Sequence, residues 1–167
     1  MASETTWSDR LAELGIDLPS VVPPAGAYVP AVRTGSLVFT AGQVPMVSGE
    51  LAATGKVGAE IGPDEAKRLA RTCALNAIAA VHALVGIDAI VRVVKVVGFV
   101  ASAEGFTGQP GVINGASELL GEIFGEAGAH ARSAVGVAEL PLGAPVEVEL
   151  IVEVAGAGTE QRFAASQ

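Results

Sequence analysis

Between Pro63 and Leu84 the apolar residues fall on one stripe. Ala66, Leu69, Cys73, Ala77, Ala80, Val81 and Leu84 recur at a period near 3.6, with Lys67, Arg68, Arg71 and Asn76 set against them. That spacing predicts a helix with Pro63 in its first turn and Gly86 at its C-cap. Directly after it, Ile90 to Val100 is β-branched almost throughout. This predicts a strand covered on both faces, with Arg92 and Lys95 on opposite sides of the pleat. A second, weaker helical period lies within Phe106 to Gly128, through Ile113, Leu120, Ile123, Phe124 and Ala127. Upstream, the runs Tyr28 to Val32 and Leu37 to Ala41 flank Thr34-Gly35-Ser36 and predict a hairpin. Val47 to Gly62, with four glycines and little period, reads as a loop.

At the N-terminus Trp7, Leu11 and Leu14 describe a short amphipathic helix between Ser8 and Gly15. The proline-rich Leu18 to Gly26 then reads as an extended connector. The order strand, strand, helix, strand, helix, strand, strand predicts an α+β fold, a mixed sheet with two helices on one face. Three parts are expected: an arm over 1–26, a folded domain over 27–155, and a flexible tail over 156–167.

Alternation along the last two strands separates their faces. Ser133, Val135 and Val137 are expected in the core, leaving Arg132, Ala134, Gly136 and Ala138 as a small-residue face headed by an arginine and open to a partner or cavity. Val146, Val148, Leu150, Val152 and Val154 are expected inside, with Glu147, Glu149, Ile151 and Glu153 on the far side. From the residues alone, Arg132 and Glu147 could equally form a structural ion pair between neighbouring strands or a functional pair.

Composition narrows the function. Half of the residues are apolar but only 4% are aromatic, so the core must be built from Val, Ala, Leu and Ile. A net charge of −8 disfavours phosphate-backbone contacts, so no nucleic-acid partner is expected. The lone Cys73 excludes an intrachain disulfide, fits a reducing compartment, and reads most simply as a small buried hydrophobe. No segment is expected to enter a membrane, and a cytoplasmic location is expected. His82 and His130 are 48 positions apart with no spacing that argues a metal site, and no phosphate-cradling glycine motif is present. Glu118, Glu122 and Glu126 read as a solvated helix face.

More specific are "GAYVPAV", "LVFTAGQVP" and "ARSAVGVAELPLGAPVEVE". In order and spacing from Tyr28 to about Ala155 these resemble the RidA (YjgF-like) family, the reactive intermediate deaminases. The resemblance implies a chorismate mutase-like homotrimer with sites at the subunit clefts. It also implies cofactor-free hydrolysis of 2-imino or enamine acids to 2-keto acids and ammonia. Arg132 matches the substrate-binding arginine, whose planar fork suits a small carboxylate, and Glu147 the acid that orients or activates water. Tyr28 matches a pocket-lining tyrosine, Gly42 lies in the "GQ" turn beside the pocket, and Asn114 matches an asparagine from the second helix. Where the family often has cysteine this chain has Ala134, leaving only its backbone N–H to serve, and Ala41 replaces a common Ser or Thr. A non-catalytic trimer binding a small carboxylate metabolite is the alternative, and a ribonuclease is the least expected.

Overall fold

The computed structural model describes residues 5–156. Its elements are α1 (Trp7–Leu14), β1 (Ala31–Thr34), β2 (Leu37–Thr40), β3 (Met46–Val47), β4 (Glu50–Leu51), α2 (Pro63–Val85), β5 (Ile90–Ala101), α3 (Gln109–Phe124), β6 (Ala131–Val137) and β7 (Val146–Val154). Five strands form a mixed sheet in the order β1-β2-β7-β5-β6. Only β5 and β6 run parallel, joined through α3 as a crossover. The two long helices cover one face, packing Ala70, Ala77, Ile113 and Leu120 against Val38, Val96, Val148 and Leu150. The other face is open in the single chain, and Val32, Phe39, Val91 and Val135 are exposed there.

The expected α+β architecture is therefore observed, with several local differences. The first strand begins at Ala31, not Tyr28, because Pro30 has no N–H to give to a ladder. Within the expected loop, β3 and β4 form a small hairpin turned by Ser48 (φ 52°) and Gly49 (φ 84°), both in the left-handed region that such two-residue turns require. Two residues per strand are too few to give a visible alternation. Asn76, expected on the polar side of α2, is buried. Its Nδ2 donates to the carbonyls of Val44 and Met46 at 3.1 Å each, which ties the loop after β2 to the helix. Lys67 and Arg71 of α2 pair with Glu118 and Glu122 of α3, so the acidic stripe meets a basic one at the helix seam.

Two expectations about sheet faces are overturned. Arg92 and Lys95 pair with Glu153 and Ile151 and so share the open face, because the second of two register shifts in β5, between Val93 and Lys95, inserts an extra residue and slips the parity. On β6 the assignment is reversed. Arg132, Ala134 and Gly136 stand beside Val96, Gly98 and Val100 on the helix-covered side, whereas Val135 is 44% exposed on the open face. Their small size serves α3: a Cβ on Gly136 would lie 2.8 Å from Gln109 Nε2. On β7 the expected alternation holds, with the valines and Leu150 inside and the glutamates out.

At the N-terminus the helix cap is Thr6, which exchanges hydrogen bonds with Asp9. Ser8 instead donates its N–H and hydroxyl to Asp88, and Trp7 Nε1 donates to the Ile90 carbonyl. The Trp7 ring meets Phe124 edge-on at 5.2 Å, so α1 is fastened to the start of β5 and the end of α3. The tail expected beyond Gly156 lies outside the described residues.

Candidate functional site

The sequence-matched residues gather into two clusters on opposite faces of the sheet. The first is built on β6 and α3. Arg132 Nη1 donates to Asn114 Oδ1 at 2.7 Å and to Ser117 Oγ at 3.2 Å, and Nη2 donates to the Pro110 carbonyl at 3.3 Å. Asn114 and Ser117 lie three residues apart on α3, on the face that meets β6. Among the described residues no carboxylate lies within ion-pairing distance of Arg132. The guanidinium is therefore held by neutral acceptors and keeps its charge uncompensated. Ala134, two residues on, packs its methyl against the core from the same side and brings no side-chain donor.

The second cluster sits where β2 ends against β7. Gln43 exchanges backbone hydrogen bonds with Val148, carrying the pairing past the end of β2. The residue before it, Gly42, lies under the Glu147 carboxylate, and a Cβ there would fall 1.8 Å from Glu147 Oε1. Here glycine supplies space for a carboxylate. Burial holds the half-buried Glu147 carboxyl above its ordinary range, and the like charge of Glu149 two residues along the strand adds to the effect. Tyr28 stands beside Gly42 in a cavity of about 80 Å3, walled also by Gln43, Met46 and the connector residues Val22 and Pro23. Its ring is 50% exposed and its hydroxyl oxygen accepts the Ala25 N–H at 3.1 Å. Leu142 closes another side with φ 62°, a costly conformation for a branched residue.

The structure thus places Gly42 beside Tyr28 in one cavity and against the Glu147 carboxylate, which does not line that cavity, and separately joins Arg132 to Asn114. It does not bring Arg132 to Glu147. β5 lies between their strands, and the two side chains project from opposite faces, so the neighbouring-strand ion pair is overturned. Cys73 is fully buried with its thiol 3.6 Å from the Val146 carbonyl, and burial pushes its pKa well up, as the reading of a small core hydrophobe requires. Among the described residues there is no group of three or more His, Cys, Asp or Glu able to hold a metal, and no helix is long and apolar enough to cross a membrane.

Sequence reasoning missed Ser117, His130 and Leu142. His130 lies two residues before Arg132, on the same face by strand parity, a signal independent of any metal spacing. Leu142 carried a signal in "LPLGAP", a turn whose glycine follows it.

Comparison with known proteins matches residues 8–154 to the family model described as "YjgF/chorismate mutase-like, putative endoribonuclease". Protein TCP17 of Trypanosoma cruzi is 44% identical over 147 residues, covering 87% of this chain and 92% of that protein. The crystal structure of Atu1372 from Agrobacterium tumefaciens, of unknown function, is 46% identical with TM-score 0.80, covering 89% of this chain and 92% of the other. A structure from Shewanella oneidensis, named a putative endoribonuclease, is 34% identical with TM-score 0.86, covering 89% and 99%. E. coli TdcF with bound serine is 25% identical with TM-score 0.60, covering 81% and 94%.

Proposed function

The chain belongs to the YjgF/chorismate mutase-like family, and from that membership and its two residue clusters we propose that it hydrolyses 2-imino or enamine acids to 2-keto acids and ammonia. The site lies at clefts between three copies of the chain. The observation that carries this reading is the pairing of an uncompensated, pre-oriented arginine with a carboxyl raised above its usual range. Their separation onto two faces supports the cleft. One protomer cannot offer both groups to one small molecule, whereas a neighbour's open face laid against the β6 edge can. The apolar residues left exposed on that face, Val32, Phe39, Val91 and Val135, give such a neighbour something to cover.

In this reading Arg132 takes the substrate carboxylate, and Asn114 keeps the guanidinium aimed. Glu147 holds water against the imine carbon. As the new C–O bond forms, a proton passes from that water through the carboxyl to the imine nitrogen. The hydroxyl of the resulting carbinolamine then gives its remaining proton through the same carboxyl to the nitrogen, and as the C–N bond breaks the carbonyl forms and ammonia leaves, so water is the only co-reactant and no cofactor is required. TdcF, the neighbour solved with serine, shows that a relative of similar fold accommodates a small molecule bearing a carboxylate.

A non-catalytic carboxylate binder is the second reading. It is favoured by the arginine cluster's being complete within one chain and by the absence of side-chain donors at Ala134 and Ala41. The endoribonuclease wording attached to relatives is disfavoured for this chain by its charge of −8. The test couples a threonine dehydratase or an amino acid oxidase to the protein, with semicarbazide trapping free imine. Deamination predicts less trapped imine with the wild type and no such effect with Arg132→Ala or Glu147→Gln. An imine lifetime unchanged by wild type would reject catalysis, and retained pyruvate binding would then leave the binder.

A further inference from the structure

The arginine cluster extends one step beyond the residues that the proposed reaction uses. His130 Nδ1 lies 2.6 Å from the Gly128 carbonyl, and its Nε2 lies 2.9 Å from Ser117 Oγ, the same oxygen that receives Arg132 Nη1. A carbonyl can only accept, so Nδ1 carries the proton. In the neutral ring Nε2 then accepts from the Ser117 hydroxyl, which leaves that oxygen's lone pairs to face the guanidinium. Every bond in the series Gly128, His130, Ser117, Arg132 has a fixed direction. Both hydrogens of Nη1 are taken by Asn114 and Ser117, and one of Nη2 by Pro110. Of five guanidinium N–H groups, Nε–H and one Nη2–H are left without a protein acceptor among the described residues.

We propose that Ser117 and His130 are positioning residues, which lock the guanidinium of Arg132 so that its Nε–H and Nη2–H edge meets a planar carboxylate. The inference rests on the reading of Arg132 as a carboxylate anchor. It adds a specificity consequence: with Nη1 committed internally, the site favours a flat, two-oxygen acid over a point anion of equal charge. Ser117 and His130 themselves touch no substrate.

The test uses pyruvate as probe, titrated calorimetrically into the full-length assembly for wild type, Ser117→Ala, His130→Ala, Arg132→Lys and the double variants. Ser117→Ala and His130→Ala are expected to weaken pyruvate binding roughly five- to tenfold, the loss of one oriented charge-assisted bond. Ser117→Thr and His130→Gln, which keep the hydroxyl and an acceptor, are expected to restore it. In an Arg132→Lys background Ser117→Ala should cost nothing further, because there is no fork left to orient. Pyruvate binding lost in Arg132→Ala but unchanged in Ser117→Ala and His130→Ala overturns the positioning role alone. An Ser117→Ala loss undiminished in the Arg132→Lys background also overturns it, because the serine would then act on structure. Pyruvate binding indifferent to Arg132→Ala removes the anchor and this inference with it.

Discussion

The two residue clusters differ in how they are held. Around Arg132 a single protomer provides three acceptors, all from α3, and the charge is aimed before any ligand arrives. Around Glu147 the chain provides only space, through Gly42, and partial burial that raises the carboxyl's pKa. The first arrangement is that of a binder already assembled. The second is that of a carboxyl whose pKa is raised, the direction that general acid–base chemistry favours. The proposed function therefore divides binding and chemistry between different faces of one sheet, and each can be disturbed alone.

The sharpest break in that division is Glu147→Gln, which keeps the shape but ends proton transfer. Imine hydrolysis should fall about 100- to 10,000-fold, measured by the semicarbazide trap, while pyruvate affinity stays within a few-fold. Arg132→Ala acts on the other side of the comparison. Calorimetry should show carboxylate affinity reduced on the order of a hundredfold, with Arg132→Lys intermediate because an ammonium cannot offer a fork. Gly42→Ala sharpens the contrast further, since the added methyl overlaps the Glu147 carboxylate and must push it aside. The turnover rate should drop roughly tenfold with pyruvate binding unchanged.

The smallest effect is in pH. The Glu147 carboxyl is raised first by burial and then by Glu149. The low-pH limb of kcat should therefore lie above the ordinary glutamate value of about 4.3. Glu149→Gln removes the like charge, and the limb should move to lower pH while staying above the ordinary value, because burial is the larger cause. For stability the sign is opposite to that of a paired carboxylate. A raised folded pKa favours the native state below the unfolded value and loses that advantage as pH rises through the folded one. Glu147→Gln should accordingly melt no lower than wild type at neutral pH.

The α2 stripe, the β-branched run of β5 and the alternation on β7 were all legible, because each is long enough for its period to show against a covered face. Arg132 and Glu147 stood out by alternation in "RSAVGV" and "VEVE", whereas Tyr28, Gly42 and Asn114 came only through the family resemblance. What could not be read was which face each occupies. A strand's parity is symmetric until something sets its sign, and on β6 the sign comes from α3, which lies close enough to demand Ala134 and Gly136 beneath it. The bulges in β5 reset parity mid-strand, so Arg92 and Lys95 landed together. Asn76 lies inside for a related reason: its partners are the carbonyls of Val44 and of Met46 in β3, 32 and 30 residues upstream, which no helical period encodes.

The central claim is that one working site takes Arg132 from one copy and Glu147 from another. Its most direct measurement mixes two inactive proteins, Arg132→Ala and Glu147→Gln, under conditions of subunit exchange, and follows imine hydrolysis in the hybrids. In a closed ring with random mixing, about a quarter of the clefts would hold both native groups, and activity should return to about that fraction of wild type. Hybrids that form, as native mass spectrometry would verify, yet stay as inactive as their parents would contradict the account.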